Sequence, residues 1–197
     1  MAKKKIFIIE DHPLMRRGLA AWFNNTKRWN VTGTASSIKE AMDLLPLVSY
    51  DLLLLDIQLE DGWGLDIISA IQKNPGPIMA VYSAFDSYAH VSTAMSMGVR
   101  AYVTKRRSEN ELEKALWMAL DGETYIDESV QVKLQTVSDH RDLLTKRESE
   151  ILSLVLSGLS NTEIADKLNL SRRTVENILS CVYDKTGVKS RMELQKL

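Results

Sequence analysis

The chain has 197 residues, and 25 lysines and arginines against 26 aspartates and glutamates give it a net charge of −1. That balance neither favours nor excludes nucleic acid as a partner of the whole chain, while an ordinary apolar content of 45% argues against a disordered protein. The charge is unevenly divided, with a net −3 over residues 1–140 and +2 over residues 141–197. This division fits an acidic first part and a second part that tolerates DNA.

A single cysteine, Cys181, rules out an internal disulfide and favours a reducing compartment. The first apolar stretch covers only residues 6–9, which is too short for the hydrophobic region of a signal peptide. No later stretch approaches the length of a membrane span. We therefore expect a soluble, cytoplasmic protein with no membrane partner.

Residues up to about 120 alternate between short apolar runs and segments with helical spacing. The runs that predict strands are residues 6–9, 31–35, 52–55, 78–82 and 101–103. Capping-box sequences at residues 37–40 and 108–111 mark the starts of two of the intervening helices. Five such units predict an α/β fold, a doubly wound five-stranded parallel sheet with helices on both faces.

The pattern changes after residue 121, where glycine and polar residues interrupt it and no periodicity persists. We interpret residues 122–142 as a linker with one helical turn near residues 130–134. Capping boxes at 145–148 and 160–163, an N-cap at Ser171, and Ser190 then start four helices, the third ending at Gly187. The turn at Asn169 and Leu170 favours a helix-turn-helix. The predicted domains are therefore 1–121 and a small all-α domain of residues 143–197.

Charged and polar residues follow four of the five predicted strands, at the end where open α/β sheets bind their ligands. Glu10 and Asp11 follow the first strand, Asp56 closes the leucine run of the third, Ser83 follows the fourth and Lys105 the fifth. Three carboxylates at one edge repel one another, and Mg²⁺ binds a few carboxylates together with a phosphate oxygen. With a hydroxyl and an ammonium facing them, the set predicts a phosphoryl-binding site.

Each of these residues also has a simpler interpretation. An acid after a strand is commonly a turn or cap residue, Ser83 alone fits a helix N-cap, and Lys105 alone fits a solvated charge. The placement of all five at strand ends, in order along the chain, favours a shared site over these separate interpretations.

With these residues at this spacing, residues 4–120 resemble the receiver domain of bacterial two-component response regulators, a flavodoxin-like fold. The resemblance implies that Asp56 is the residue that is phosphorylated. The implied Mg²⁺ ligands are Glu10, Asp11, Asp56 and the main-chain carbonyl of Gln58. The residues implied to respond to the phosphoryl group are Ser83, Lys105 and the aromatic switch Tyr102.

One departure from that family lies in the loop after the third strand. Glu60 stands where such receivers usually carry a proline. We expect this loop to be less rigid, and we expect the added carboxylate to change the metal affinity of the site or its rate of dephosphorylation.

Four stretches of the second part carry a further resemblance, LTKRE at 144–148, GLSNTEIA at 158–165, SRRTVEN at 171–177 and KTGVKSR at 185–191. Residues 142–197 are similar throughout to the LuxR-type helix-turn-helix, and together with a receiver this makes the chain resemble the NarL/FixJ family of transcription regulators. In such a fold the third helix enters the major groove. The candidate DNA contacts are Asn161, Thr162, Arg172, Arg173, Thr174, Glu176, Asn177 and Ser180.

The chemistry of these side chains suits a DNA contact. Arg172 and Arg173 suit phosphates or guanine, Asn177 suits adenine and Glu176 suits the amino group of cytosine. The first turn of the preceding helix, at residues 161–162, can present backbone N–H groups to a phosphate. Without the resemblance, both arginines would be interpreted as ordinary surface charges.

Two residues depart from the LuxR-type pattern. Ile178 stands where the family often has histidine, which predicts an altered phosphate contact. Thr186 stands where leucine is usual, which predicts looser packing at the end of the third helix. The resemblance also implies a dimer contact through the last helix, residues 191–197, whose shortness predicts weak dimerisation.

The combined interpretation is a DNA-binding response regulator rather than an enzyme, catalysing only its own phosphoryl transfer and dephosphorylation. The expected partners are a sensor histidine kinase, double-stranded DNA and, after phosphorylation, a second copy of the chain. Three alternatives stay open at this point. They are a regulator that binds DNA without phosphorylation, a haloacid-dehalogenase-like phosphatase, for which Gln58 replaces the second acid, and an adaptor whose helical part binds protein.

Overall fold

The structure is a computed structural model that describes residues 2–71, 76–131, 144–186, 188 and 190–194. Packing divides the chain into two compact units, one of residues 1–85 and 93–127 and one of residues 86–92 and 128–197. Most of the predicted linker, residues 132–142, lies outside the described residues, as do Gly187 and the last part of the predicted helical turn. The predicted domain boundaries therefore stay predictions.

The first unit is built on a parallel sheet with an added hairpin. The strands are β1 (Lys4–Ile9), β2 (Trp29–Ala35), β3 (Leu52–Leu55), β4 (Gln58–Leu59), β5 (Gly62–Trp63), β6 (Ile78–Ser83), β7 (Ala101–Thr104) and β8 (Tyr125–Ile126). The main sheet has the order β2-β1-β3-β6-β7-β8, and every neighbouring pair in it is parallel. This is the flavodoxin-like order, whose switch point lies between β1 and β3.

Among the described residues, five helices alternate with these strands along the chain. They are α1 (Pro13–Asn25), α2 (Ile38–Leu44), α3 (Leu65–Ile71), α4 (Tyr88–Ser96) and α5 (Glu109–Leu120), with a 3₁₀ turn at Leu45–Leu47. His12 caps α1 through its ring, and Pro13 occupies the first turn, where its missing N–H costs nothing. Ser108 and Glu111 close the capping box predicted for α5, with both reciprocal hydrogen bonds present.

The sheet is covered on both faces, which explains its apolar runs. All four leucines of β3 are at most 1% exposed, and the last four residues of β1 are equally buried. Covering both faces of a parallel strand removes the alternation of polar and apolar residues. Beside the sheet, Phe23 packs edge-on against Trp29, and the Trp29 indole donates to Glu113 at 2.9 Å.

The prediction of five strands is wrong by one. The sixth strand, β8, lies within the segment predicted to be linker, where Tyr125 N donates to the Arg100 carbonyl at 2.8 Å and Asp127 N to that of Tyr102 at 2.9 Å. A strand of two residues is too short to show alternation. The β4–β5 hairpin was missed for the same reason.

From residue 144 on, the described part of the second unit contains four helices. They are α6 (Lys146–Leu156), α7 (Asn161–Leu168), α8 (Arg172–Thr186) and α9 (Arg191–Leu194). The predicted capping boxes of α6 and α7 are both complete. Asn169 ends α7 at a φ of 51°, a left-handed conformation that asparagine tolerates better than most residues.

A small apolar core joins these helices. Its buried side chains are Ile151, Leu152, Val155, Ile164, Ala165, Val175, Leu179, Val182 and Leu194. They recur at helical spacing, so each helix turns one apolar stripe inward. Within the described ranges, no helix has the length and apolar character needed to cross a bilayer.

Candidate functional sites

The acidic residues that follow β1 and β3 lie side by side because the two strands are neighbours. Glu10 N donates to the Ala35 carbonyl at 3.0 Å, and Asp56 N donates to that of Ile9 at 2.9 Å. Glu10 is 2% exposed and Asp56 7% exposed. The ladder hydrogen bonds therefore hold two carboxylates, which water barely reaches, at the switch point of the sheet.

Lys105, at the end of β7, neutralises part of this charge. Its Nζ lies 2.6 Å from Oδ2 of Asp56 and 2.7 Å from Oε2 of Glu10. Burial by itself would lower the pKa of the Lys105 ammonium, but its hydrogen bonds to Asp56 and Glu10 outweigh burial and raise that pKa. The lysine is therefore a fixed cation shared by two buried acids.

The site still carries excess negative charge. Carboxylate oxygens of Glu10, Asp11 and Asp56 lie within 4.8 Å of one another. Burial, with the charge of Asp56 adding to it, raises the pKa of Glu10 above its ordinary value, although the hydrogen bond from Lys105 opposes this. Three carboxylates against one ammonium leave room for a hard divalent cation, and their oxygens are the donors that Mg²⁺ prefers.

Ser83 and Tyr102 complete the set predicted from the sequence. Ser83 is fully buried, and its hydroxyl donates to Oδ1 of Asp56 at 2.6 Å. The Tyr102 ring is also fully buried, and its hydroxyl donates to the Phe85 carbonyl at 2.8 Å. The oxygens of Asp56 are thus divided between Ser83 and Lys105, and the Tyr102 side chain lies inside the first unit.

The loop after β3 is organised as the β4–β5 hairpin. Gln58 begins β4, and the exposed Glu60 forms its turn together with Asp61. Asp61 accepts hydrogen bonds from the main-chain N–H groups of Ile38 and Lys39 at 2.9 and 3.0 Å, which lowers its pKa. The loop that lacks the usual proline is therefore supported by cross-strand pairing and by a cap on α2.

Sequence reasoning missed Asp61, although the Asp61-Gly62 pair is a known hairpin signal. It also missed Gly64, where a methyl group would overlap the main-chain oxygen of Asp56 and a methyl of Leu55. Arg16 is a third omission, because its Nη1 donates to the main-chain oxygens of Glu10 and Asp11 at 2.7 and 3.0 Å. Arg16 therefore holds the main chain of Glu10 and Asp11, Gly64 packs against that of Asp56, and Asp61 joins the loop after Asp56 to the start of α2.

The candidate DNA contacts of α8 lie on its outward face. Val175, Leu179 and Val182 are buried, whereas the other side of the helix is open to solvent. The exposed candidates on α8 are Arg172, Arg173, Glu176, Asn177 and Ser180, and Thr174 is half-buried. The structure thus brings the predicted α8 contacts onto one face, as helical spacing requires.

Some of these side chains already have partners. Arg172 Nε donates to Oε1 of Glu176 at 2.8 Å, which leaves both of its terminal nitrogens for other acceptors. At the start of α7, Asn161 Oδ1 accepts from Arg191 Nη1 at 2.6 Å, and Arg191 also donates to the Leu159 carbonyl. Thr162 is exposed. The contact between Arg191 of α9 and Asn161 was not predicted, because the two residues are 30 positions apart and no local pattern connects them.

The two departures from the LuxR-type pattern lie on α8. Ile178 is half-buried and packs against the small core instead of standing free on the surface. Thr186 is 7% exposed, and its hydroxyl donates to the Val182 carbonyl at 2.7 Å. The hydroxyl at this buried position is therefore satisfied within the helix.

Comparisons with protein families match two successive stretches of the chain. Residues 6–117 match the response regulator receiver domain, and residues 142–197 match the bacterial regulatory proteins of the luxR family. The chain is 29% identical over 197 residues to the DNA-binding transcriptional activator DevR/DosR of Mycobacterium tuberculosis, covering 96% of this chain and 91% of the relative. It is 28% identical to the response regulator VraR of Staphylococcus epidermidis, covering 96% and 93%.

Solved structures show the same likeness over the whole chain. A complex of the two-component response regulator RcsB with DNA has a TM-score of 0.73 at 27% identity, covering 98% of this chain and 96% of that one. RcsB from Salmonella enterica serovar Typhimurium, bound to a promoter in the presence of the phosphomimetic BeF₃⁻, has a TM-score of 0.72 at 26% identity, covering 98% and 97%. The chain belongs to the NarL/FixJ family of two-component response regulators, with a receiver domain joined to a LuxR-type DNA-binding domain.

Proposed function

We propose that a sensor histidine kinase phosphorylates Asp56 and that this modification controls DNA binding by α7 and α8. The observation that carries the proposal is the convergence on Asp56 of Ser83 at 2.6 Å and Lys105 at 2.6 Å, beside the acids Glu10 and Asp11. Two donors aimed at one carboxylate in an acidic, water-poor site are the arrangement that phosphoryl transfer needs.

The side chains divide the chemistry between them. A carboxylate oxygen of Asp56 forms a bond to phosphorus, and the bond from phosphorus to the donor's histidine nitrogen breaks. The Ser83 hydroxyl and the Lys105 ammonium then donate to the new phosphoryl oxygens instead of to the free carboxylate. The reaction uses position and charge, with no separate general base.

Mg²⁺ fits the remaining negative charge of the site. Glu10, Asp11 and Asp56 would hold it through their carboxylates, and Gln58 through its main-chain carbonyl. Bound there, the ion supplies charge neutralisation for the phosphoryl oxygens. Beyond its own phosphorylation and dephosphorylation, we propose no enzymatic activity for the protein.

The proposed effect of phosphorylation is a change in DNA binding. When Ser83 engages the phosphoryl group, the hydrogen bond from Ser83 to the free Asp56 carboxylate is lost. We propose that the neighbouring Tyr102 and β7 have two alternative arrangements and that this loss favours one of them. We propose that phosphorylation favours a homodimer that binds paired half-sites, as a chain in the cytoplasm with access to the chromosome can do. RcsB dimers bound to DNA support this assembly by analogy.

Phosphorylation is tested with acetyl phosphate and Mg²⁺, followed by intact mass. The wild-type chain should gain one phosphoryl mass that alkaline hydroxylamine removes, and Asp56→Asn should gain none. Asp66→Asn, which changes an exposed aspartate on α3, serves as the matched control and should behave like the wild type. Uptake of phosphoryl by Asp56→Asn contradicts the assignment, and steady hydrolysis of a phosphomonoester by the wild type would favour a phosphatase instead.

DNA binding is tested by measuring duplex affinity at several salt concentrations. Arg173→Ala should weaken binding and, if the arginine neutralises one phosphate, should reduce the slope of log affinity against log salt by about 1. Lys146→Ala removes an exposed cation at the start of α6 and is the control. Equal losses of affinity for the two variants would indicate general charge attraction and would contradict the assignment of α8.

A further inference from the structure

Lys105 is the first central residue of a tight turn between β7 and α5. The turn runs from Thr104 to Arg107 and is closed by a hydrogen bond from Arg107 N to the Thr104 carbonyl at 3.0 Å. Lys105 N donates to the Ser83 carbonyl at 2.9 Å. The direction in which the lysine side chain leaves the main chain is therefore set by what holds the two ends of this turn.

One carboxylate holds both ends. Oδ2 of Asp127 accepts from Thr104 Oγ1 at 2.6 Å, from Thr104 N at 3.3 Å and from Arg107 Nε at 2.9 Å. Its Oδ1 accepts from Arg107 Nη2 at 2.8 Å. Asp127 is fully buried and the Arg107 side chain is 28% exposed, so the contacts form a bidentate, charge-assisted pair in which the carboxylate is shielded from water.

Asp127 reaches this position because β8 runs parallel to β7. Ile126 pairs with Tyr102, and Asp127 N donates to the Tyr102 carbonyl at 2.9 Å. The side chain of Asp127 then caps the end of β7, where the ladder stops, and meets the turn that follows. Asp127 thus lies beyond residues 117 and 121, where the receiver family match and the predicted first domain end.

We propose that Asp127 is a positioning residue for phosphoryl transfer, holding the Thr104–Arg107 turn so that the Lys105 ammonium meets Asp56. The proposal rests on the proposed phosphorylation of Asp56. It places the first residues after α5, which the sequence suggests are linker, within the machinery that receives the phosphoryl group. Because positioned groups lose much of their effect on small displacements, loosening the turn should slow the reaction without removing any reacting group.

The test compares rates of Asp56 phosphorylation by acetyl phosphate in the full chain at saturating Mg²⁺. Asp127→Asn removes the charge that pairs with Arg107, and Thr104→Val removes one hydroxyl from the clamp with little change in volume. Glu123→Gln neutralises an exposed acid four residues before Asp127 and is the matched control. We expect Asp127→Asn to slow phosphorylation roughly ten- to a hundredfold, Thr104→Val to slow it less, and Glu123→Gln to leave it unchanged.

A double-mutant cycle with Lys105→Met separates positioning from general stability. If Asp127 acts through the lysine, Asp127→Asn should slow the wild type but should slow Lys105→Met no further. A loss of overall stability would instead slow both backgrounds by the same factor. The urea midpoint of each variant, measured in parallel, confirms that the chains compared are folded.

The outcomes are distinct. A wild-type rate for both Asp127→Asn and Thr104→Val, or an equal slowing of the Lys105→Met background, overturns the positioning role while leaving phosphorylation of Asp56 intact. Failure of the wild-type chain itself to take up phosphoryl on Asp56 would overturn the proposed function together with this inference. Slowing by Asp127→Asn that disappears in the Lys105→Met background supports the positioning role of Asp127.

Discussion

The two functional regions of the protein use charge in opposite ways. Beside the sheet, the carboxylates of Glu10 and Asp56 are buried, and the Lys105 side chain that bonds to both is only 17% exposed. Neighbouring strands hold these partners together. On α8 the ion pair of Arg172 and Glu176 is 70% and 45% exposed, and both residues lie on one turn of one helix. Charges in the sheet are therefore constrained by tertiary structure, whereas those on the helix are free to meet a separate molecule.

This contrast predicts that removing a cation has very different consequences in the two regions. Lys105→Met leaves two buried carboxylates without their shared cation and should lower the free energy of unfolding by about 3 kcal/mol. Arg173→Met, at an exposed position, should change it by less than about 0.5 kcal/mol. Urea unfolding with and without Mg²⁺ measures both, and Mg²⁺ should recover part of the loss for Lys105→Met. Equal losses of unfolding free energy in Lys105→Met and Arg173→Met would contradict the contrast between the two regions.

Two glycines sharpen the comparison between a constrained and a free position. At Gly64 an added methyl group overlaps the main chain of Asp56, so Gly64→Ala should cost about 2 kcal/mol and slow phosphorylation. At Gly18, in the exposed face of α1, nothing lies within 4 Å, and Gly18→Ala should stabilise the protein by up to about 1 kcal/mol. Thermal midpoints measure both effects. A stabilising effect of Gly64→Ala would mean that the main chain of Asp56 can shift to accommodate the added methyl group.

Within the second unit, hydrogen bonds hold the carboxylate of Glu148 in place, and we therefore expect the stability of this unit to depend on pH. A hydrogen bond from Lys185 Nζ at 2.7 Å, and then one from Thr145 N at 2.7 Å, lower the pKa of Glu148 below 4.5. A lowered carboxyl pKa stabilises the fold above the ordinary value of 4.5 and loses that contribution as the pH falls through the lowered value.

Acid titration of the thermal midpoint measures this contribution. Between about pH 6 and pH 3, the wild-type midpoint should converge on that of Glu148→Gln, which lacks the charged form at every pH. A constant offset between Glu148→Gln and the wild type across this pH range would show that the carboxylate charge adds nothing there.

The smallest effect is expected for the exposed pair on α8. Glu176→Gln removes the partner of Arg172 Nε, and an exposed pair at this spacing contributes only about 0.3 kcal/mol. Chemical unfolding at low and high salt should show this small loss disappearing as salt screens the pair. A loss above about 1 kcal/mol would mean that the charges of α8 are held as firmly as those around Asp56.

Local signals predicted the parts of the fold that depend on neighbours in sequence. The capping boxes of α5, α6 and α7 are complete, since each needs only two residues three apart. At α2 the prediction is half right. Ser37 accepts from Glu40 N, but the Glu40 carboxylate bonds to Ser36 instead of closing the box. Adjacent serines offer equivalent donors, and spacing alone does not choose between them.

The convergence of side chains around Asp56 was predictable for a different reason. Parallel strands deliver their carboxyl ends to one edge whatever their order, so residues at successive strand ends had to converge. The strand order does not reveal which other residues hold the site in place. Asp61 bonds to the start of α2, more than 20 residues away, and Asp127, which follows a strand of only two residues, bonds to Thr104.

By itself, the amino-acid sequence determined the βα alternation, the helix-turn-helix and which side chains stand at the strand ends, because apolar periodicity, caps and strand ends are local properties. Only the tertiary structure decided that the sheet has a sixth strand, that Gly64 faces the main chain of Asp56 and that Asp127 clamps the turn bearing Lys105. Such contacts join residues far apart in sequence, and their energies depend on burial that the chain acquires only when it folds.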